Sequence, residues 1–319
     1  MTTLEKLNNM KEKINQASTM FLMGHVYLDL DAIGSCIGLA SLFQQLGKTS
    51  YIIINDTENE LAVAQVLEKI KNVKIIKGSE VDQYRTPDSL LIIVDTNKRE
   101  LVQDQQILDK MDNVIVLDHH DEGIDTIRKG LVIIDKESSS ACELVTLIIH
   151  DYEVTLKEEI NTLLLAGIVL DTNNFVVKTD ARTFYVAYLL TRAGADTSKV
   201  QYLLKQDIDE YIERQKVITN VEVIDKIALT KGAEDLRYRR EDLAKIADTL
   251  LQFKGIEASF VIGRLDHNTV GISARSMGNL KVGELMSQIG GGGDSHEAAA
   301  KIEDKSIREV ETRLKQIIM

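Results

Sequence analysis

The 319-residue sequence predicts an α/β protein in two domains, and three observations predict it. From Met20 to Leu117 short apolar runs alternate with helical stretches, the pattern of a parallel sheet with helices on both faces. From Ser138 to Ile218 the pattern is helical, and from Val221 onward strands and helices mix again. A length prior of about 150 residues per domain agrees with two domains. The spans that follow are 1–195 for an N-terminal parallel-sheet domain, 196–220 for a helical linker and 221–319 for a smaller mixed α/β domain.

Leu4–Ile14 is a short amphipathic helix by its spacing of apolar residues. Met20–Gly24 is the first strand, His25–Asp31 a loop, and Ala32–Leu46 the helix that follows. Tyr51–Ile54 is a strand, Glu60–Ile70 a helix and Val73–Ile76 a strand. Leu90–Val94 and the run ending at Leu117 are strands around a helix near Gln105–Met111, which gives the N-terminal domain a Rossmann-like character. Helices at Ser140–Ile149, Leu156–Leu170 and Arg182–Ala193 precede one long charged helix, Thr197–Ile218. The last domain reads as strand Val223–Leu229, helix Glu241–Gln252, strands Ile256–Gly263 and Val270–Ala274, and helix Val282–Ile289.

Charged residues at 28% and hydrophobic residues at 44% are ordinary for a soluble globular chain. A net charge of −12 excludes a long nucleic-acid groove, which needs a basic face, but admits a small anion met by bound cations. Cys36 and Cys142 both fall in predicted helices and read as buried thiols in a reducing cytoplasm. No run approaches the roughly 18–20 apolar residues of a membrane span. Residues 1–17 are polar, without a signal-peptide pattern. The expectation is a soluble, cytoplasmic chain; a longer parent, if this is an excised module, could be anchored in a membrane.

Chemistry concentrates where strands end. The run Val114-Ile115-Val116-Leu117 stops at Asp118-His119-His120, the first strand delivers His25, and Leu90–Val94 delivers Asp95. Ligand groups on open α/β sheets gather at such carboxyl ends. Asp29, Asp31, Asp95 and Asp171 with His25 and His119 would place four anions in one cleft, which repel unless cations are present. An oxygen and imidazole donor set suits Mn²⁺ best, then Mg²⁺ or Zn²⁺. Two such ions about 3.5–4 Å apart activate water and clamp the oxygens of an in-line phosphoryl displacement. Singly, each residue has a simpler reading: Asp31 as a helix cap, a lone histidine as structural. Asp171, however, sits at a helix end that disfavours negative charge. Four of the six histidines, His25, His119, His120 and His296, fall within the motifs singled out along the chain, so the set points to a site. The tetraglycine Gly290–Gly293 joins a helix to Ala298–Ile302 inside a domain, which suggests close backbone approach to a phosphate or base. Arg275, just past a strand, is a natural phosphate partner. Ser139 and Ser140 read more simply as caps of the helix that follows.

His25, Asp29, Asp31-Ala32-Ile33-Gly34, Val94-Asp95-Thr96, Asp118-His119-His120, Ser138 to Thr146, Asp171-Thr172 and the late glycines resemble the DHH phosphoesterase family with its DHH-associated C-terminal domain, over nearly the whole chain. On Ala166–Thr172, Gly255–Ile262, Gly271–Ser276 and Gly290–Gly293 it is most similar to the catalytic module of GdpP-type cyclic di-AMP phosphodiesterases. The resemblance implies that His25, Asp29 and Asp95 hold one ion and that Asp31, Asp95, His119 and Asp171 hold the second. Asp118 then orients a histidine, and His120 contacts the scissile phosphate or protonates the leaving oxygen. Ser273, Arg275, Gly290, Gly291, Gly292, Gly293 and His296 contact substrate. Two departures stand out: Leu28 replaces the family's usual Pro, and Asp294 occupies the usual histidine position, so that either His296 serves from two residues further along or phosphate binding is weakened.

The activity implied is Mn²⁺-dependent opening of cyclic di-AMP to linear pApA, in a cleft between domains, by a chain that a homodimer also suits. Hydrolysis of short linear oligonucleotides, as by a nano-RNase, is the alternative within enzymes. A cyclic-dinucleotide-binding regulator without turnover is the alternative outside them.

Overall fold

Burial on both sides dictates the strands of the N-terminal half. In a computed structural model, which describes residues 3–55, 61–205, 207–293 and 295–318, the chain divides into two compact units, Met1–Lys205 and Gln206–Met319. The first unit holds β1 (Thr19–Met23), β2 (Thr49–Ile53), β3 (Ile75–Ile76), β4 (Leu90–Val94), β5 (Asn113–Asp118) and β6 (Leu131–Ile134). They form one parallel sheet in the order β3-β2-β1-β4-β5-β6. Successive side chains point to opposite faces. Met20, Leu22, Ile92 and Ile115 therefore enter one core, and Phe21, Met23, Ile93 and Val116 the other. Both cores exclude water, which is why these strands read as unbroken apolar runs.

Around the sheet lie α1 (Thr3–Gln16), α2 (Leu30–Gln45), α3 (Leu61–Lys69), α4 (Gln105–Lys110), α5 (Ala141–Asp151), α6 (Glu158–Asp171), α7 (Ala181–Arg192) and α8 (Thr197–Leu203). Helices α2, α5 and α6 approach closely because small residues face one another. A Cβ at Gly34 would lie 2.9 Å from the Cys142 Sγ, and one at Gly167 would lie 2.5 Å from the same sulfur and 3.0 Å from the Asp31 Cα. Cys36 and Cys142 are free and buried.

The second unit opens with α9 (Ile208–Ile218), then β7 (Glu222–Ile224), β8 (Ile227–Lys231), α10 (Arg240–Leu251), β9 (Ala258–Arg264), β10 (Thr269–Ser276), α11 (Val282–Ser287), β11 (Gly292–Gly293), β12 (Glu297–Glu303) and α12 (Ile307–Ile318). Its sheet runs β11-β12-β10-β9-β8-β7, with β8 parallel to β9 and the other pairs antiparallel. Leu243, Ile246 and Leu250 of α10 pack with Val261 on one face. Val282, Met286, Val310 and Leu314 pack with Phe260, Ile272 and Ala300 on the other.

Several elements differ from expectation. The stretch read as one helix from Thr197 to Ile218 is two, α8 and α9. The Asp207 carboxylate accepts the Asp209 and Glu210 N–H groups at 2.9 and 3.1 Å and so starts a new helix where charge alone suggested continuity. Val223–Leu229 is not one strand but a hairpin, turned at Asp225 with φ of 52°. Strands β6 and β12 and helix α12 were not anticipated. Glu60, expected at a helix start, lies outside the described residues. Among the described residues no helix is long and apolar enough to cross a membrane.

The packing of α6 on α2 and α5 sets a first expectation. Overpacking a filled interior costs about 1–3 kcal/mol, so Gly167→Ala should lower the denaturant midpoint accordingly. Cys142→Ala in the same background, by removing the obstructing sulfur, should recover part of that loss. Unchanged stability of the single variant would show that these helices separate freely.

Candidate metal centre

The strand order β3-β2-β1-β4-β5-β6 reverses direction between β1 and β4, and a crevice opens at the carboxyl ends on either side of such a reversal. His25 follows β1 by one residue beyond Gly24, and Asp95 follows β4 directly. Asp118 ends β5, with His119 and His120 next. Asp29 and Asp31 stand at the start of α2, and Asp171 is the last residue of α6. The structure brings these residues together. One ligand atom each from His25, Asp29 and Asp95 lie within 4.8 Å of one another, as do those of Asp31, Asp95, His119 and Asp171.

Asp95 faces both groups. Its Oδ2 is 3.3 Å from the His25 Nε2 and its Oδ1 3.3 Å from the His119 Nε2. The backbone there is left-handed, with φ of 59°, which Asp tolerates better than most residues at a cost on the order of 1 kcal/mol. His119 Nε2 also lies 3.2 Å from Asp171 and 4.0 Å from Asp31. His25 Nε2 is 3.7 Å from Asp29. The His25 Nδ1–H donates to the Val26 carbonyl at 2.6 Å, and this turns the other ring nitrogen, Nε2, toward the two carboxylates.

The two acids of the α2 loop divide their work differently from the simpler reading of Asp31 as a cap. Asp29 is the N-cap of α2: its Oδ1 accepts the Asp31 and Ala32 N–H groups, each at 2.9 Å. Asp31 instead reaches α5, where its two oxygens accept from the Ala141 N–H at 2.7 Å and the Cys142 N–H at 2.8 Å. It is fully buried.

The electrostatics are those of a site short of positive charge. Burial pulls the His25 ring down, but Asp29 and Asp95 outweigh it and hold the ring well above the usual imidazole range. His119 behaves the same way through Asp171 and Asp95. Burial first, and then repulsion from Asp95 and Asp171, push the Asp31 carboxyl well up. Burial also raises Asp171 against the pull of His119, while the two imidazoles hold Asp95 below the carboxylate range despite its burial. Asp95 Oδ1 and His119 Nε2 are buried without a hydrogen-bond partner among the described residues. Such atoms are expensive to leave unsatisfied. A divalent cation fits them, since carboxylate and imidazole donors suit Mn²⁺, Mg²⁺ or Zn²⁺ and two ions would balance the four acids.

Beside the cluster, Asp118 is fully buried. Its Oδ1 accepts from the His119 N–H and from His120 Nδ1–H, both at 2.8 Å, and His120 keeps half of its side chain exposed. Burial lowers the His120 ring, yet Asp118 lifts it above the ordinary value overall. Two residues had no role from sequence. Asn97 donates to Asp118 Oδ2 at 2.6 Å, and Gln103 Nε2 donates to the His25 carbonyl at 2.8 Å. Their one sequence signal was position, in the segment after β4. Ser140 caps α5 by accepting from the Glu143 N–H, and Ser139 donates to the Glu143 carboxylate.

In the second unit, Ser273, Arg275 and Gly290–Gly293 line one cavity of about 690 Å³. Arg275 donates to Asp248 at 2.8 Å and is already partly neutralised. The glycines serve the sheet as well as any ligand. A Cβ at Gly291 would clash with the Ala299 carbonyl, and Gly293 has φ of 145° and a Glu297 carbonyl that obstructs a Cβ in the same way. A Cβ at Gly290 or Gly292 would meet nothing within 4 Å among the described residues. His296 stands outside that lining, its Nδ1–H donating to the Ser276 carbonyl at 3.2 Å. Asp294 lies outside the described residues.

Residues 19–168 match the DHH family, N-terminal domain, and residues 220–319 match the DHHA1 domain. The chain is 36% identical to the cyclic-di-AMP phosphodiesterase GdpP of Geobacillus thermodenitrificans, over 97% of this chain and 48% of that protein. It is also 36% identical to the cyclic-di-AMP phosphodiesterase PdeA of Listeria monocytogenes, over 96% of this chain and 48% of the relative. The chain thus spans about half the length of the curated relatives it matches. Among solved structures, an exopolyphosphatase-related protein from Bacteroides fragilis has the same fold, with a TM-score of 0.82, 18% identity, and coverage of 98% of this chain and 96% of that one.

A ligand that binds only the folded state raises its stability by mass action. Mn²⁺ should therefore raise the unfolding midpoint in a concentration-dependent way. Asp95→Asn, which keeps the left-handed backbone accessible and removes the shared charge, should abolish the rise. An undiminished shift in that variant would place the ion elsewhere.

Proposed function

The chain belongs to the DHH family and carries a DHHA1 domain, and from that premise we propose a divalent-metal phosphodiesterase that opens cyclic di-AMP to linear pApA. The observation that carries this reading is the position of Asp95, one carboxylate turned toward two groups of ligand atoms, with its own Oδ1 and the His119 Nε2 buried without a hydrogen-bond partner among the described residues. Its support on the substrate side is the likeness, over nearly all of the chain, to relatives named for cyclic di-AMP. We take Mn²⁺ as the ion. His25, Asp29 and Asp95 would hold one ion and Asp31, Asp95, His119 and Asp171 the other. Two ions so held supply the charge that activates water and stabilises in-line displacement at phosphorus.

The protein's own groups do the rest. His120, tethered through Nδ1 to Asp118, keeps its Nε2 side available to a phosphate oxygen or to the leaving 3′-oxygen. Its raised pKa favours the protonated ring that such a donor requires. Asp118 keeps the imidazole in one orientation. In the second unit the glycine-lined cavity, with Ser273 and Arg275 in its wall, grips the nucleotide. The two cysteines, buried and unpaired, suit a reducing cytoplasm.

The test compares hydrolysis of cyclic di-AMP and of pApA by the same chain across a Mn²⁺ titration. Faster cleavage of the cyclic substrate is expected. Faster cleavage of pApA would make the chain a hydrolase of short linear oligonucleotides instead. Tight binding of the cyclic substrate without Mn²⁺-stimulated cleavage would make it a regulator. His120→Ala should lower kcat by about 10²–10⁴, the usual contribution of a positioned acid.

A further inference from the structure

Beneath the exposed imidazole lies a chain of hydrogen bonds that neither the ion positions nor the substrate cavity explains. Asn97 is buried, with 1% of its surface exposed, and its side chain joins three segments of the loop region after β4 and β5. Its Nδ2 donates to the Asp118 Oδ2 at 2.6 Å and to the carbonyls of His120 and Asp121 at 3.2 and 3.3 Å. Its Oδ1 accepts from the Thr126 Oγ1 at 3.2 Å, and that hydroxyl in turn accepts from the Gly123 N–H at 2.7 Å. The Ile127 N–H returns to the Asn97 carbonyl at 2.6 Å.

The direction of every bond in this chain is fixed by chemistry. The Gly123 N–H can only donate, so the Thr126 hydroxyl accepts there and spends its own proton on the Asn97 oxygen. The amide must then turn its nitrogen toward Asp118, which as a carboxylate only accepts. Asp118 Oδ2 is engaged in this way, and Oδ1 accepts from the His119 N–H and the His120 ring. An aspartate at position 97 would set two carboxylates against each other, and an alanine would leave Asp118 Oδ2 unsatisfied in the interior.

We propose that Asn97 is a positioning residue for the hydrolytic step, one that fixes the His120 ring by holding Asp118 and the His120 and Asp121 carbonyls while touching neither ion nor substrate. The inference rests on the phosphodiesterase reading above. Thr126 sets the amide's orientation and acts one bond further back.

Groups that orient ligands and catalytic side chains typically cost about 10–100-fold when removed. Asn97→Ala should lower kcat on cyclic di-AMP by about that factor, with KM and Mn²⁺ affinity, read from the Mn²⁺-induced shift of the unfolding midpoint, each held within about threefold. Thr126→Val, a milder change that keeps the shape, should lower kcat in the same sense by a smaller factor. It keeps the test open if Asn97→Ala folds poorly. The deciding comparison is the double variant: in a His120→Ala background, Asn97→Ala should add less than about threefold, because both act through one ring. Multiplying losses, or a parallel fall in Mn²⁺ affinity, would overturn the proposal, as would unchanged turnover in both Asn97→Ala and Thr126→Val. Absence of hydrolysis by the unmodified chain would instead remove the underlying reading.

Discussion

The constraint on which this structure depends is the gathering of four aspartates where water is scarce. Asp31 and Asp95 are buried, Asp171 stands against His119, and Asp29 closes the edge beside His25. Like charges at this spacing repel by several kcal/mol in a partly desolvated site, and two imidazoles offset no more than half of the charge. Folding has to hold these groups in place against that repulsion. It does so by attaching each to an element fixed by apolar burial far from the cleft. β1 and β4 are buried at every residue, and α2 is buried along most of its length.

The fixation is not all apolar. Asp31 draws on the N-terminus of α5, whose first N–H groups have no partner within the helix and whose positive dipole end favours an anion. Asp29 draws on the first turn of its own helix in the same way. Each carboxylate is therefore partly stabilised by backbone N–H groups while keeping further lone-pair capacity for the centre. The close approach of α2, α5 and α6 at Gly34 and Gly167 brings Asp31 within reach of Ala141 and Cys142. Helix packing and site geometry are here one arrangement.

Much of this was legible in the sequence, for a physical reason. Strands buried on both faces must be apolar throughout, so the sudden appearance of Asp95 after Val94, or of Asp118-His119-His120 after Leu117, marks the strand end and its chemistry together. What escaped depends on partners far apart in the chain. The Asp31 carboxylate binds N–H groups 110 and 111 residues away, and local spacing could suggest only a nearby cap. The glycines Gly291 and Gly293 are required by β12, whose Ala298-Ala299-Ala300 carries little strand preference and gave no warning of itself. The break between α8 and α9 turns on one capping carboxylate, Asp207, in a stretch whose charge pattern continues across it. Asn97 looked like any polar loop residue until its burial was visible.

Asp95 belongs to both groups of ligand atoms, one oxygen toward His25 and the other toward His119. Two ions held by these groups would for that reason not bind independently. A cation held on one oxygen would withdraw electron density from its twin, so that a second would meet both a weakened donor and a like charge nearby. By linkage the penalty is reciprocal, the same whichever side fills first. Occupancy should accordingly follow a stepwise isotherm with a tight and a looser stage, so that the ambient ion level can grade the fraction of fully loaded molecules.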